Sequence, residues 1–156
     1  MIRQAGIQDA ARIKDIHTEC VRVLCSSFYT PDQIKVWTGG GPNGMKRVVE
    51  NSPYCIVRET KKGIAGFASL RPDFSIRHLY IDPAFIRQGV GTSLLRKMEE
   101  YLINSGHKTV TLESTLYAVP FYKHHGYEDM GKSYVLMADQ KIEVVKMRKV
   151  FCTTEW

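Results

Sequence analysis

Two glycines one residue apart, Gly89 and Gly91, come directly before apolar residues that recur at helical spacing. A helix N-terminus has unpaired N–H groups and a partial positive charge, and glycine leaves room for an anion to approach them. Arg87 adds a positive side chain beside the turn. The segment therefore predicts a binding site for a phosphorylated ligand, and a pyrophosphate group fits it best.

Two common phosphate-binding motifs do not fit the sequence. A dinucleotide fingerprint requires a third glycine at position 94, where the chain has Leu94. A P-loop requires glycine and lysine together, whereas Met45 separates Gly44 from Lys46. We therefore interpret residues 39–44 as a plain loop.

The elements around the glycine turn follow from periodicity. Apolar spacing predicts a helix from residue 90 to about 104, with Gly106 in the left-handed position after it. Alternating residues predict three antiparallel strands between residues 54 and 82, and another strand over 108–114. Because a helix connects 74–82 to 108–114, we expect these two strands to be parallel.

The remaining segments complete an α/β (α+β) layered domain. A strand near residues 2–5 precedes a helix that Asp9 can cap, and Thr30 with Pro31 is typical of the start of a second helix. A short helix over 119–125 comes before two strands over 127–138 and 142–150.

Two segments resemble the GNAT superfamily of N-acetyltransferases. LYIDPAFIRQGVGTSLL, residues 79–95, is similar to its acyl-CoA-binding strand, turn and helix, and LESTLYAVPFYKHHGYE, residues 112–128, is similar to its second segment. Ile86 and Thr115 depart from the pattern, which has Arg or Gln and Asn there. The resemblance implies a mostly antiparallel sheet of six or seven strands, one parallel pair and helices on both faces.

The resemblance also implies which residues bind acetyl-CoA as the co-substrate. Main-chain groups of the strand hold the pantetheine arm and those of the glycine turn hold the pyrophosphate, while Thr115 replaces an asparagine that hydrogen-bonds. The implied residues are Leu79, Tyr80, Ile81, Arg87, Gln88, Gly89, Val90, Gly91, Thr92 and Thr115.

Tyr122 aligns with the general acid of the family and would protonate the departing thiolate. The sequence leaves the general base undecided. Glu113 ends a strand near the site, and His78 is a second candidate because a histidine ordinarily has a pKa of about 6.5. A relay of waters to bulk solvent is the third alternative. We interpret His17 as a helix-surface histidine, and Tyr29 and Trp37 as packed aromatics.

Composition and charge limit the partners. The chain has 156 residues, 44% of them hydrophobic, and a net charge of +6, which together predict one globular domain over residues 1–156. The basic residues are dispersed, which argues against a nucleic-acid groove, and the cysteine spacing argues against a metal site. Without an apolar run of about 20 residues or the apolar core of a signal peptide, we expect a cytoplasmic protein with no membrane partner.

The function expected from the sequence is acetyl transfer from acetyl-CoA to an unidentified primary amine of a small molecule or protein, by direct attack. A non-catalytic acyl-CoA sensor is the alternative, since the strand before the glycine turn has no acidic residue at the usual place of the family's base. A basic nucleic-acid module is a weaker alternative. The sequence leaves the oligomeric state open, with a homodimer as one possibility.

Overall fold

The computed structural model describes residues 1–152, which form seven strands, five α-helices and two short 3₁₀ turns. The strands are β1 (Ile2–Gln4), β2 (Cys55–Thr60), β3 (Gly63–Leu70), β4 (Ile76–Ile81), β5 (Thr109–Ser114), β6 (Glu128–Met137) and β7 (Gln140–Val150). The helices are α1 (Ala10–Leu24), α2 (Pro31–Trp37), α3 (Asn43–Asn51), α4 (Val90–Asn104) and α5 (Val119–His124). Within residues 1–152 no helix has the length and apolar character needed to cross a membrane.

The strands form one mixed sheet in the order β1-β2-β3-β4-β5-β7-β6. β4 and β5 are parallel, as predicted from the helix that connects them, and the other described pairs are antiparallel. One pair of residues, Ile76 and Leu112, bridges β4 to β5. The prediction of a mixed sheet with one parallel pair is confirmed, and the sheet has seven strands.

Helices cover both faces of this sheet, as expected. On one face the apolar stripe of α4 packs against β3, β4 and β5, and its buried residues are Val90, Leu94, Leu95, Met98 and Leu102. On the other face α1 and α3 pack against Val57 and Phe67, and Tyr80 adjoins them. The α4 stripe is the one predicted from its helical spacing.

Most of the local signals in the sequence are confirmed. Thr30 caps α2 with its hydroxyl oxygen, which accepts from the Gln33 N–H at 3.2 Å, while the Gln33 side chain accepts from the Thr30 N–H at 2.8 Å. Gly106 and Gly126 take φ values of +90° and +88° after their helices, the conformation that glycine adopts most easily.

Two local predictions are wrong. Asp9 does not cap α1 with its side chain, because its carboxylate accepts the Gly6 N–H at 2.8 Å and pairs with both terminal nitrogens of Arg3 at 2.8 and 3.0 Å. The supposed loop over 39–44 is shorter than expected, because α3 already begins at Asn43. The glycine-rich run favoured a loop over a helix start in the sequence, since glycine has low helix propensity at Gly44.

Candidate active site

The site lies where β4 and β5 part beyond the Ile76–Leu112 bridge. The Asp82 N–H donates to Ala65 on β3 at 2.8 Å, so alternate residues of β4 direct their main-chain groups towards β3. The N–H and C=O groups of Leu79 and Ile81 therefore point the other way, into the gap. A ligand in this gap can pair with them as an additional strand would.

A cavity of about 380 Å³ fills the gap. Residues of α1 line it on one face of the sheet, and the first turn of α4 lines it on the other, so it passes through the sheet. Eleven of the residues expected at the site line its wall: Leu79, Tyr80, Ile81, Arg87, Gly89, Val90, Gly91, Thr92, Glu113, Thr115 and Tyr122. Gln88 and His78 are the predicted site residues that do not line it.

The first turn of α4 presents unpaired donors at one end of the cavity. Its first helical hydrogen bond runs from the Ser93 N–H to the Gly89 carbonyl at 3.0 Å, which leaves the N–H groups of residues 90–92 for a ligand. Arg87 and Gly89 have φ values of 61° and 77°. Two left-handed residues so close together turn the chain sharply into the helix, and Arg87 remains exposed beside it.

Gly91 lies against α5. A β-carbon at this position would lie 3.4 Å from the ring of Phe121, which is ordinary van der Waals contact. The first turn of α4 therefore packs directly on α5, and the residue after Phe121, Tyr122, lines the cavity.

Tyr122 is 6% exposed, and burial raises the pKa of its phenol above the ordinary value. The phenol is therefore neutral at physiological pH and can donate a proton. Its ring packs edge-on against Phe121 and Tyr127, with centroids 5.3 and 5.4 Å away. These contacts fix the direction of the hydroxyl.

The two candidate bases have different surroundings. Glu113 lines the cavity, and its carboxylate lies 3.8 Å from the guanidinium of Arg71 with 30% of the side chain exposed. His78 instead pairs through Nδ1 with the Ser69 hydroxyl at 2.7 Å. Burial, assisted by the charge of neighbouring histidine and arginine side chains, lowers the pKa of His78 well below 6.5.

The structure adds wall residues that the sequence analysis did not place at the site. Cys20 and Leu24 reach the cavity from α1 and Cys25 from the residue after its end, while Arg77 and Tyr117 reach it from the β4 and β5 sides of the gap. Burial raises the pKa of Cys20 to about 11 and that of Cys25 to about 12, so both thiols are neutral. Helical spacing predicts that such residues face inwards, but it does not distinguish a cavity wall from a core.

The interpretation of His17 as a helix-surface histidine is wrong. This residue is 6% exposed and packs edge-on against Tyr80 at a centroid distance of 4.7 Å, with the rings of His78 and Trp37 6.1 and 6.4 Å away. Trp37 and Tyr29 are packed aromatics, as expected. The Tyr29 hydroxyl also donates to the Glu143 carbonyl at 2.7 Å, which ties the helical region to β7.

Comparisons with known proteins agree with this geometry. A family model described as an acetyltransferase (GNAT) domain matches residues 25–151. A protein of Escherichia coli K12, described as the uncharacterized N-acetyltransferase YafP, is 25% identical over 155 residues, which are 99% of this chain and 89% of that protein.

Solved structures show the same fold. A GCN5-related N-acetyltransferase from Rhodopseudomonas palustris is 21% identical with a TM-score of 0.92, over 97% of this chain and 95% of that one. The PaiA N-acetyltransferase from Thermoplasma acidophilum, in complex with coenzyme A, is 18% identical with a TM-score of 0.77, over 97% of this chain and 98% of that one.

The family match spans most of the chain, and it includes the gap between β4 and β5, the first turn of α4 and Tyr122. Members of this family transfer an acyl group from an acyl-CoA to an acceptor. The chain belongs to the GNAT family of N-acetyltransferases and is itself an acetyltransferase.

Proposed function

We propose that the chain transfers the acetyl group of acetyl-CoA directly to a primary amine. The observation that carries this proposal is the cavity through the sheet, which joins the first turn of α4 on one face to the α1 side on the other. Acetyl-CoA enters from the α4 end with its pyrophosphate on the N–H groups of residues 90–92. The amine enters from the α1 end and meets the thioester in the gap.

Main-chain groups hold the thioester in this arrangement. The pantetheine arm pairs with the free edge of β4 at Leu79 and Ile81, as an extra strand would. A main-chain N–H near Leu79 then stabilises the oxyanion that forms when the amine attacks the carbonyl carbon. Thr115 faces the same cavity from the turn after β5, and its hydroxyl accepts from the Ala118 N–H at 3.2 Å.

Proton transfers complete the reaction. The neutral amine forms the new C–N bond, and its proton passes to Glu113 or to cavity water. The C–S bond breaks, and Tyr122 donates a proton to the departing thiolate to give free CoA. The neutral Cys20 and Cys25 thiols are poor nucleophiles at pH 7, which supports direct attack without an acyl-enzyme.

Calorimetric titration with acetyl-CoA at two salt concentrations tests the binding half of this proposal. We expect micromolar affinity that weakens as salt rises, because phosphate charges are bound at the helix N-terminus. Detection of the released CoA thiol with a panel of amines tests the transfer half. Binding without thiol release from any amine would support the sensor alternative, and no binding at either salt concentration would overturn the proposal.

Three further features belong to the same proposal. Residues 1–156 act as a single catalytic domain, the protein works in the cytoplasm where acetyl-CoA is available, and nucleic acid is not its partner. A homodimer is consistent with the long edge strand β6, whose Tyr134 and Leu136 are exposed. Light scattering during gel filtration measures this directly.

A further inference from the structure

A basic and an acidic residue follow the point where the two strands begin to part. Arg77 follows Ile76 on β4 and Glu113 follows Leu112 on β5, so each comes directly after the Ile76–Leu112 bridge. Both residues line the cavity. The gap therefore opens between two strands that carry opposite charges at the start of the opening.

A bulge in β4 gives Arg77 its position. Leu70 pairs with Ile76 and Ser69 pairs with His78, which leaves Arg77 as the extra residue of the strand. Bulges redirect side chains from the regular alternation of a strand. Arg77 is exposed, and within residues 1–152 it makes no ion pair, while Glu113 contacts Arg71 at 3.8 Å.

Apolar and aromatic residues also line the cavity. Leu24 lines it from the end of α1, Cys25 from the residue after that helix, and Tyr117 from the turn after β5. Phe28 packs edge-on against Tyr117 with a centroid distance of 6.2 Å, and the two rings are 47% and 39% exposed. Tyr117 lines the cavity, so its exposed ring, with Phe28 packed on it, provides a contact surface for an apolar group of a ligand.

We propose that the acceptor is a free amino acid with an apolar side chain. This inference rests on the proposed function and names its substrate class. Arg77 binds the carboxylate, Glu113 attracts the ammonium and receives its proton, and the Phe28–Tyr117 pair contacts the side chain. The planar guanidinium matches a carboxylate with two parallel hydrogen bonds, which a lysine could not supply.

The chemistry needs no further reactant. Glu113 takes one proton from the ammonium and passes it to cavity water, and the neutral α-amine attacks the acetyl carbon. As the C–S bond breaks, the nitrogen gives its second proton to Glu113, and Tyr122 protonates the thiolate, so the products are an N-acetyl amino acid and free CoA. A proton from cavity water then restores Tyr122. Since acetylation removes the positive charge of the amine, the product loses its attraction to Glu113 and leaves more easily.

Matched acceptors test the role of the carboxylate. Thiol release is measured with leucine, phenylalanine and methionine, with their amides, and with the corresponding amines that lack the carboxyl group. The amides have the more reactive neutral amine at pH 7, so chemistry alone favours them. We expect kcat/KM to be at least about 10-fold higher for the acids, because each makes a charge-assisted contact with Arg77.

The Arg77→Gln variant tests the assignment of that contact. We expect its KM for the acids to rise about 10-fold or more with kcat nearly unchanged, and its KM for the amides to stay the same. Arg47→Gln on α3 is the matched control, since Arg47 is exposed and lies away from the cavity. Thermal unfolding of both variants confirms that they are folded.

Several results would overturn the inference. Equal rates for acids and amides, no acetylation of any amino acid at millimolar concentration, or a preference for a polyamine such as spermidine would each exclude this substrate class. Calorimetry with acetyl-CoA on the same samples distinguishes a failure of the amino-acid assignment from a failure of the proposed acetyl transfer. If acetyl-CoA binds and CoA thiol is released only when a polyamine is the acceptor, the proposed acetyl transfer is supported and the amino-acid assignment is wrong.

Discussion

The hydroxyl of Ser69 and Nδ1 of His78 are joined by a hydrogen bond of 2.7 Å beneath the α1 side of the sheet. Ser69 is fully buried, so this bond fixes the histidine ring. Burial also keeps the imidazole neutral by lowering its pKa well below 6.5. A histidine held in this way is a poor proton acceptor at pH 7, which favours Glu113 as the base.

We therefore expect Glu113→Gln to lower kcat/KM for the amine by at least about 10-fold at pH 7, with acetyl-CoA affinity unchanged. The loss should shrink as pH rises, because more of the acceptor is then already neutral. His78→Gln should change kcat/KM by less than about 3-fold, because the base role stays with Glu113. A pH profile of both variants measures this, and a larger loss in His78→Gln would reverse the assignment.

Tyr122→Phe should reduce kcat by about 10-fold and leave the acetyl-CoA affinity nearly unchanged, because it removes the proton donor but keeps the ring. The loss is moderate since a thiolate with a pKa of about 8.5 already leaves readily. Pre-steady-state and steady-state thiol release measure the change. Unaltered turnover at saturating acetyl-CoA would refute the acid role.

Tyr127→Phe is the matched control for this variant. The Tyr127 hydroxyl donates to Glu99 at 2.7 Å, where Lys149 lies 3.1 Å from the same carboxylate. Removing a buried hydrogen bond to a charged group should lower the free energy of unfolding by about 1.5–3 kcal/mol. We expect turnover to be unaffected, so the two phenylalanine variants separate chemistry from stability.

Gly91→Glu should reduce acetyl-CoA affinity by at least about 10-fold, because it places a negative side chain beside the expected pyrophosphate position. An acidic residue in the first turn suits the helix dipole, and its β-carbon would be in ordinary contact with Phe121 at 3.4 Å, so we expect the variant to fold. Calorimetry measures the affinity, and denaturant unfolding measures the stability. Full affinity in a folded variant would contradict the proposed pyrophosphate site.

Gly44→Glu provides the control for charge and helix position. Gly44 is the second residue of α3, as Gly91 is the second residue of α4, and a β-carbon there meets no atom within 4 Å. We expect this variant to bind acetyl-CoA with the original affinity. A common loss of affinity in both variants would point to a general effect of charge rather than to the site.

The sequence predicts the sheet, its parallel pair and the α4 stripe because each depends on residues that are close together in the chain. The cofactor turn is predictable for the same reason, since Gly89 and Gly91 belong to one local motif. The α1 side of the site is different. Cys20 and Cys25 reach the cavity through the packing of a distant helix on β4, and spacing alone cannot indicate which inward residues border empty space.

The predictions for Asp9 and His17 are wrong for the same physical reason. Asp9 could be a helix cap by residue type, but Arg3 and the Gly6 N–H compete for its carboxylate and hold it in the preceding turn. His17 is polar and was expected at the surface, yet the rings of Tyr80 and Trp37 enclose it. Both outcomes depend on tertiary contacts that overrule a local preference.

His17 makes the stability of the protein depend on pH. Burial, with a smaller contribution from the charge of Lys14, lowers the pKa of His17 from 6.5 to about 4, and Nδ1 of this ring has no hydrogen-bond partner within residues 1–152. Below about pH 6.5 the unfolded chain binds a proton at this histidine that the folded chain does not bind. Stability is therefore complete above pH 6.5 and falls as the pH decreases towards 4.

The expected contribution of His17 is about 3 kcal/mol between these limits. His17→Leu should reduce the slope of the free energy of unfolding over pH 4.5–6.5. The remaining slope comes from His78 and His125, whose pKa values shift in the same direction, and at the acid end from the lowered pKa values of Asp9, Asp73 and Asp82. Urea unfolding at a series of pH values measures both slopes. Val23→Leu is the control on the same helix, because Val23 is 54% exposed and has no titratable group. An unchanged slope in His17→Leu would mean that the folded protein takes up a proton at His17 as easily as the unfolded chain does.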